Sequence, residues 1–161
     1  MYNGRFAAHL GLDNTSNRYG YSSARQSFTL PVETLQATLT FHLYPASGET
    51  ALATQADLLP QGRWLEAEQA AAGDAQYVLL LDPVTADVLK ILHWGLSNAQ
   101  AWERHTVSLP PEYAGRPLLL HFGVFNDGVN GRSALYIDDV SLTILDGSLA
   151  PYQLALPITH K

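Results

Sequence analysis

Short runs in which apolar and polar residues alternate recur along the chain, broken by Gly, Pro, Asn and Asp, the pattern of antiparallel strands and turns. It predicts strands at about 5–10, 24–30, 36–44, 76–82, 86–93, 101–109, 117–126 and 133–144, with a last extended piece at 151–158. Within 36–44, Leu39, Phe41 and Leu43 share one face and Thr40, His42 and Tyr44 the other, so one side of that strand packs and the other is wet. Between 117–126 and 133–144 lies Asn126-Asp127-Gly128-Val129-Asn130-Gly131, whose Asp-Gly and Asn-Gly steps supply the positive φ of a tight hairpin.

Ala46 to Ala75 departs from this pattern. It is rich in Ala, Gln and Glu, and its stretch 64–72, stopped by Gly73, reads as a short helix, so a surface insertion with a helix or an ordered flap is expected there. The end of the chain, 149–161, is an apolar tail whose prolines permit extended structure but forbid a central strand position. Each strand has one apolar face to hide, so the prediction is an all-β fold at 1–148. Two antiparallel sheets pack as a β-sandwich of jelly-roll type, with an immunoglobulin-like arrangement as the alternative.

Composition narrows the function. In 161 residues, nine Lys plus Arg face fifteen Asp plus Glu, a net charge of −6, which lacks the phosphate-neutralising surface that nucleic acid or an anionic membrane requires. No stretch approaches the roughly 20 apolar residues of a membrane span. Without cysteine there are no disulfides, thiolate metal sites or cysteine nucleophiles. The six histidines show no close ligand spacing for zinc, and Gly20-Tyr21-Ser22-Ser23-Ala24 lacks the final glycine and the following helix of a nucleophile elbow.

Ser133-Ala134-Leu135-Tyr136-Ile137-Asp138-Asp139-Val140-Ser141-Leu142 resembles the final strand of jelly-roll carbohydrate-binding modules and of MAM-like domains of secreted bacterial proteins. Arg18 to Pro31 with Ala37 to Phe41 resembles their early strands, and Trp102 to Leu109, Tyr113-Ala114-Gly115 and Leu118 to Phe122 resemble their later ones. The resemblance covers most of 5–144 and implies an extracellular or cell-surface setting. Such domains usually begin with a further strand ahead of the segment matching Gly4 to Ala8, so this sandwich reads as starting one strand late.

The resemblance also implies a structural Ca²⁺ held by an acidic residue of the last strand, here Asp138 or Asp139. Leu135 and Ile137 share one phase and Val140 and Leu142 the other, which predicts a bulge near this pair; Asp13, Asn14 and Asn17 can add oxygen ligands. For a sugar, flat aromatic side chains beside polar groups are the signal. Trp94 is the first candidate, and alternation adds His42, Tyr44, His121 and Phe125, which line one outer face if their strands are neighbours. The expectation is a non-catalytic accessory domain that binds glycan or cell-surface material. The alternative is an assembly module whose tail, 149–161, lies along the open sheet edge of another copy, a self-association that propagates into filaments.

Overall fold

The computed structural model describes residues 7–12, 16–49, 73–146, 151–156 and 159–160. The expected helix at 64–72, and most of the insertion around it, lie outside the described residues.

Among the described residues ten strands follow in chain order: β1 (Ala8–Gly11), β2 (Tyr19–Thr29), β3 (Gln36–Ser47), β4 (Ala75–Leu81), β5 (Val88–Gly95), β6 (Glu103–Leu109), β7 (Pro117–Asp127), β8 (Ser133–Leu145), β9 (Tyr152–Ala155) and β10 (Thr159–His160). A front sheet has the order β1-β8-β3-β6, with β9 also on β8, and a back sheet the order β10-β2-β7-β4-β5. Every pairing between these strands is antiparallel. From β1 to β8 the chain visits front, back, front, back, back, front, back and front. This is jelly-roll connectivity and settles the choice against the immunoglobulin-like arrangement.

Between the sheets, Leu39, Phe41 and Leu43 of β3 and Leu135, Ile137, Leu142 and Ile144 of β8 meet Val78, Leu80, Leu120, Phe122 and Val124 of the back sheet. Phe41 and Phe122 cross edge to face, with centroids 5.7 Å apart. The alternation read in β3 holds: its apolar phase is in this core and its polar phase faces outward.

The back sheet behaves differently, because its outer face is also packed. Tyr77, Leu79, Leu81, Trp94 and Phe125 form a second buried cluster, and every residue of β4 is buried. Such a strand carries an unbroken apolar run rather than an alternating one, and Tyr77-Val78-Leu79-Leu80-Leu81 is that run. Tyr77 lies over Gly123 of β7, where a Cβ would fall 2.2 Å from the ring, and is stacked between Trp94 and His121.

The expected hairpin at 126–131 needs correction. Gly128 and Asn130 do take positive φ, and Asp127 Oδ1 accepts from Val129 N at 2.7 Å, so the turn forms. Its two strands enter opposite sheets, because both ladder edges of β7 are taken by β2 and β4. The Asn126 side chain replaces the missing ladder: its Oδ1 accepts from Ser133 N at 2.7 Å and its Nδ2 donates to Ser133 O at 3.2 Å.

The predicted bulge is present. Thr40 pairs with Ser141 and His42 with Asp138, leaving Asp139 and Val140 opposite Phe41 alone, with Asp139 at φ 47°. The bulge divides β8. On one side of it β1 pairs with Ala134 to Ile137, and on the other β9 pairs with Ser141 to Ile144 along the same edge. Leu156 then donates its N–H to Val140 O at 2.9 Å and buries its side chain, and β10 pairs with Ala24 and Arg25 of the back sheet. The chain's own tail thus pairs with a strand of each sheet, β9 on β8 and β10 on β2.

Candidate functional site

The outer face of the front sheet carries the residues out of phase with the core. His9 of β1 pairs with Tyr136 of β8, and Tyr136 with Tyr44 of β3, while Trp102 immediately precedes β6. Their rings form a continuous row: His9 to Tyr136 4.6 Å, Tyr136 to Tyr44 5.7 Å and Tyr44 to Trp102 5.5 Å between centroids. Each of the four is half-buried, so part of each side chain reaches solvent, although His9 Nε2 is itself buried. One rung along, the register sets His42 between Asp138 and Arg104. Asp138 Oδ1 accepts from Asp139 N at 2.9 Å, a bond made by the bulge.

Beyond that rung a groove of about 630 Å³ opens, lined by Thr40, His42, Arg104, Ser141 and Thr143, with Gln153 of β9 on its wall. The tail therefore helps to shape it. A row of rings beside a groove of hydroxyl, imidazole, guanidinium and amide groups can stack on an apolar sugar face and hydrogen-bond to its hydroxyls.

The expected platform divides between the two sheets. His42 and Tyr44 lie on this front face, though His42 is itself largely buried. Trp94 of β5 and His121 and Phe125 of β7 belong to the back sheet and are buried in its outer cluster, so they do not share a face with His42 and Tyr44. His121 and Phe125 do point opposite to Phe122 and Val124, as their alternation implies, but the condition that their strand neighbours that of His42 and Tyr44 is not met. Tyr136, Trp102, His9 and Arg104 were missed, although the phase of Tyr136 against Leu135 and Ile137 already marked it as outward.

Of the expected calcium ligands, Asp138, Asp139 and Asn17 are among the described residues, and Asn17 lies apart from the two aspartates. Asp138 and Asp139 sit at the bulge, Asp139 exposed. Asn17 is tied by its Nδ2 to Val129 O at 3.0 Å, at the β7–β8 turn rather than at the bulge. Asp13 and Asn14 lie outside the described residues.

A different acidic group gathers at that turn. Glu49 follows β3, Asp74 precedes β4 and Asp127 ends β7, and one carboxylate oxygen from each lies within 4.8 Å of the others, so the three can hold a metal ion. Asp74 is only 1% exposed; its Oδ1 accepts from Asp127 N at 2.8 Å, and its Oδ2 has no hydrogen-bond partner among the described residues. Burial pushes its pKa above the usual carboxylate range. Hydrogen bonds from Ser133 and the Asp127 N–H oppose that, while the negative charges of Glu49 and Asp127 add to it. No sequence spacing announces the triad, since its members are 25 and 53 residues apart (74 − 49 and 127 − 74). No protein-family model matches the chain, and no curated protein matches it significantly.

Proposed function

We propose that this protein is a non-catalytic accessory domain of an exported chain that binds glycan or cell-surface material through the outer face of its front sheet. The row His9, Tyr136, Tyr44 and Trp102, running across β1, β8 and β3 to the residue before β6 beside a polar groove, is the observation that carries this reading. Three of the four rings sit on paired strands and Trp102 directly adjoins one, so little ordering entropy opposes ligand binding. A structural calcium belongs to the same reading, since carboxylate oxygens are hard donors of the kind that ion takes.

A screen of soluble polysaccharides by affinity electrophoresis, followed by calorimetry, tests it. At least one glycan should bind, and Trp102→Ala and Tyr44→Ala should each weaken that binding roughly three- to tenfold, the worth of about one aromatic contact. Trp94→Phe, altered in the back sheet, should leave affinity unchanged. Failure of every glycan to bind, or equal weakening by the Trp94 variant, would overturn the reading.

The tail supports a second reading, assembly by exchange. The four β8–β9 pairs and the buried Leu156 are interactions that the tail of another copy can make equally well. Light scattering across a concentration series should then show growing oligomers, and truncation after Asp146 should abolish them. A full-length protein that stays monomeric at all concentrations contradicts this second reading.

A further inference from the structure

We infer that Glu49, Asp74 and Asp127 form the site of one calcium-class divalent cation, which fastens the exits of β3 and β7 to the start of β4. The inference gives the calcium of the proposed function a location other than Asp138 and Asp139, and it holds or fails independently of glycan binding.

The cluster alone does not carry it; the state of Asp74 does. A carboxylate with 1% exposure and one oxygen without a hydrogen-bond partner among the described residues is costly to bury, and its nearest charges, Glu49 and Asp127, have the same sign. A cation placed among the three oxygens removes both costs together. Each carboxylate already spends an oxygen on backbone donors: Asp74 Oδ1 on Asp127 N, Glu49 Oε1 on Gly131 N at 2.8 Å, and Asp127 Oδ1 on Val129 N. Those bonds orient the carboxylates before any ion arrives, the role that outer hydrogen bonds play in a metal site.

The surrounding backbone is fixed as well. Gly131 packs so closely on the β3 exit that a Cβ there would fall 2.0 Å from Gly48 C, and Gly48 N donates to Arg132 O at 2.9 Å. Beneath them, the hydroxyls of Ser47 and Ser133 are 2.9 Å apart. Only a glycine lets these two segments approach this closely, and the approach brings Glu49 beside the turn that Asp127 opens. Three carboxylates without nitrogen or sulfur donors suit calcium, which takes six to eight oxygens in adaptable geometry, better than zinc or the strictly octahedral magnesium.

The test uses the full chain, stripped with chelator and then melted with and without millimolar calcium, with magnesium as comparison. Calcium should raise the melting midpoint of the unaltered protein by roughly 5 °C or more, and magnesium by less. Asp74→Asn and Glu49→Gln should abolish that rise while melting at or above the chelated unaltered protein, since each removes a like charge. That second expectation separates loss of the ion from loss of the fold. Asp138→Asn and Asp139→Asn should keep the rise. If the rise survives in Asp74→Asn, or vanishes instead in Asp138→Asn, the site assigned here is wrong although the protein still binds calcium. If calcium neither binds by calorimetry nor shifts melting, both the site and the structural calcium are wrong.

Discussion

Between pH 6.5 and pH 4 the domain should lose several kcal/mol of stability, because two histidines, His121 buried and His93 half-buried, are held uncharged. His121 is held down to about 3 by its burial and then by the positive charge of Arg25, and His93 to about 4 by its burial and then by His105. His93 meets His105 edge to face at 5.0 Å where β5 and β6 close the side of the sandwich, and Glu103 lies 3.8 Å from His105. A histidine whose folded pKa is depressed adds nothing to the pH dependence above 6.5. Below it, the unfolded chain takes up a proton that the folded chain refuses, so stability falls until the folded value is reached. Each histidine contributes a slope of about 1.4 kcal/mol per pH unit. Two of them acting to pH 4 reach the order of 5 kcal/mol, comparable with the whole stability of many domains. Urea melts from pH 7.5 to pH 4 check this: the midpoint should be flat above about 6.5 and fall steeply below, and His121→Phe should roughly halve the fall. A midpoint that is level down to pH 4 contradicts it.

Gly123→Ala should cost roughly 3 kcal/mol, the upper end of the penalty for overfilling a packed core. The new methyl would lie 2.2 to 2.4 Å from Cζ, Cε2 and Oη of Tyr77. That ring cannot swing away, being held between Trp94 at 5.1 Å and His121 at 5.8 Å on a face where Leu79 and Leu81 are also buried. Chemical denaturation should show a lower midpoint with an unchanged slope, and tryptophan emission should shift as the ring over Trp94 is displaced. Tyr77→Leu in the same background should recover part of the loss, since the clash is with the ring. A Gly123→Ala protein as stable as the unaltered one would show that Tyr77 does not lie over this glycine.

Strands were legible because alternation is a local property. The bulge of β8 was legible for the same reason: Leu135 and Ile137 face the core and Val140 and Leu142 must as well, so one residue has to be absorbed between them. Partners are not local. Nothing in the run containing His121 and Phe125 says that β7 lies between β2 and β4, in the sheet opposite His42 and Tyr44. The Asp-Gly and Asn-Gly steps report a turn correctly, but a jelly roll uses such a turn to cross between sheets, and the pattern for a paired hairpin is the same. Glu49, Asp74 and Asp127 approach one another only because three strand ends meet at one end of the sandwich, an outcome of topology that no spacing encodes. The tail was legible in part: its apolar residues needed a surface, and the structure supplies β8 and β2 of the same chain.

The most direct test of the account is a two-dimensional amide NMR titration with an oligosaccharide cut from whichever glycan binds. Shift changes should concentrate at His9, His42, Tyr44, Trp102, Arg104 and Tyr136, across β1, β8, β3 and β6 of the front sheet, with Tyr77, Trp94 and His121 unmoved. Changes centred on the back sheet, or scattered over both, would contradict it.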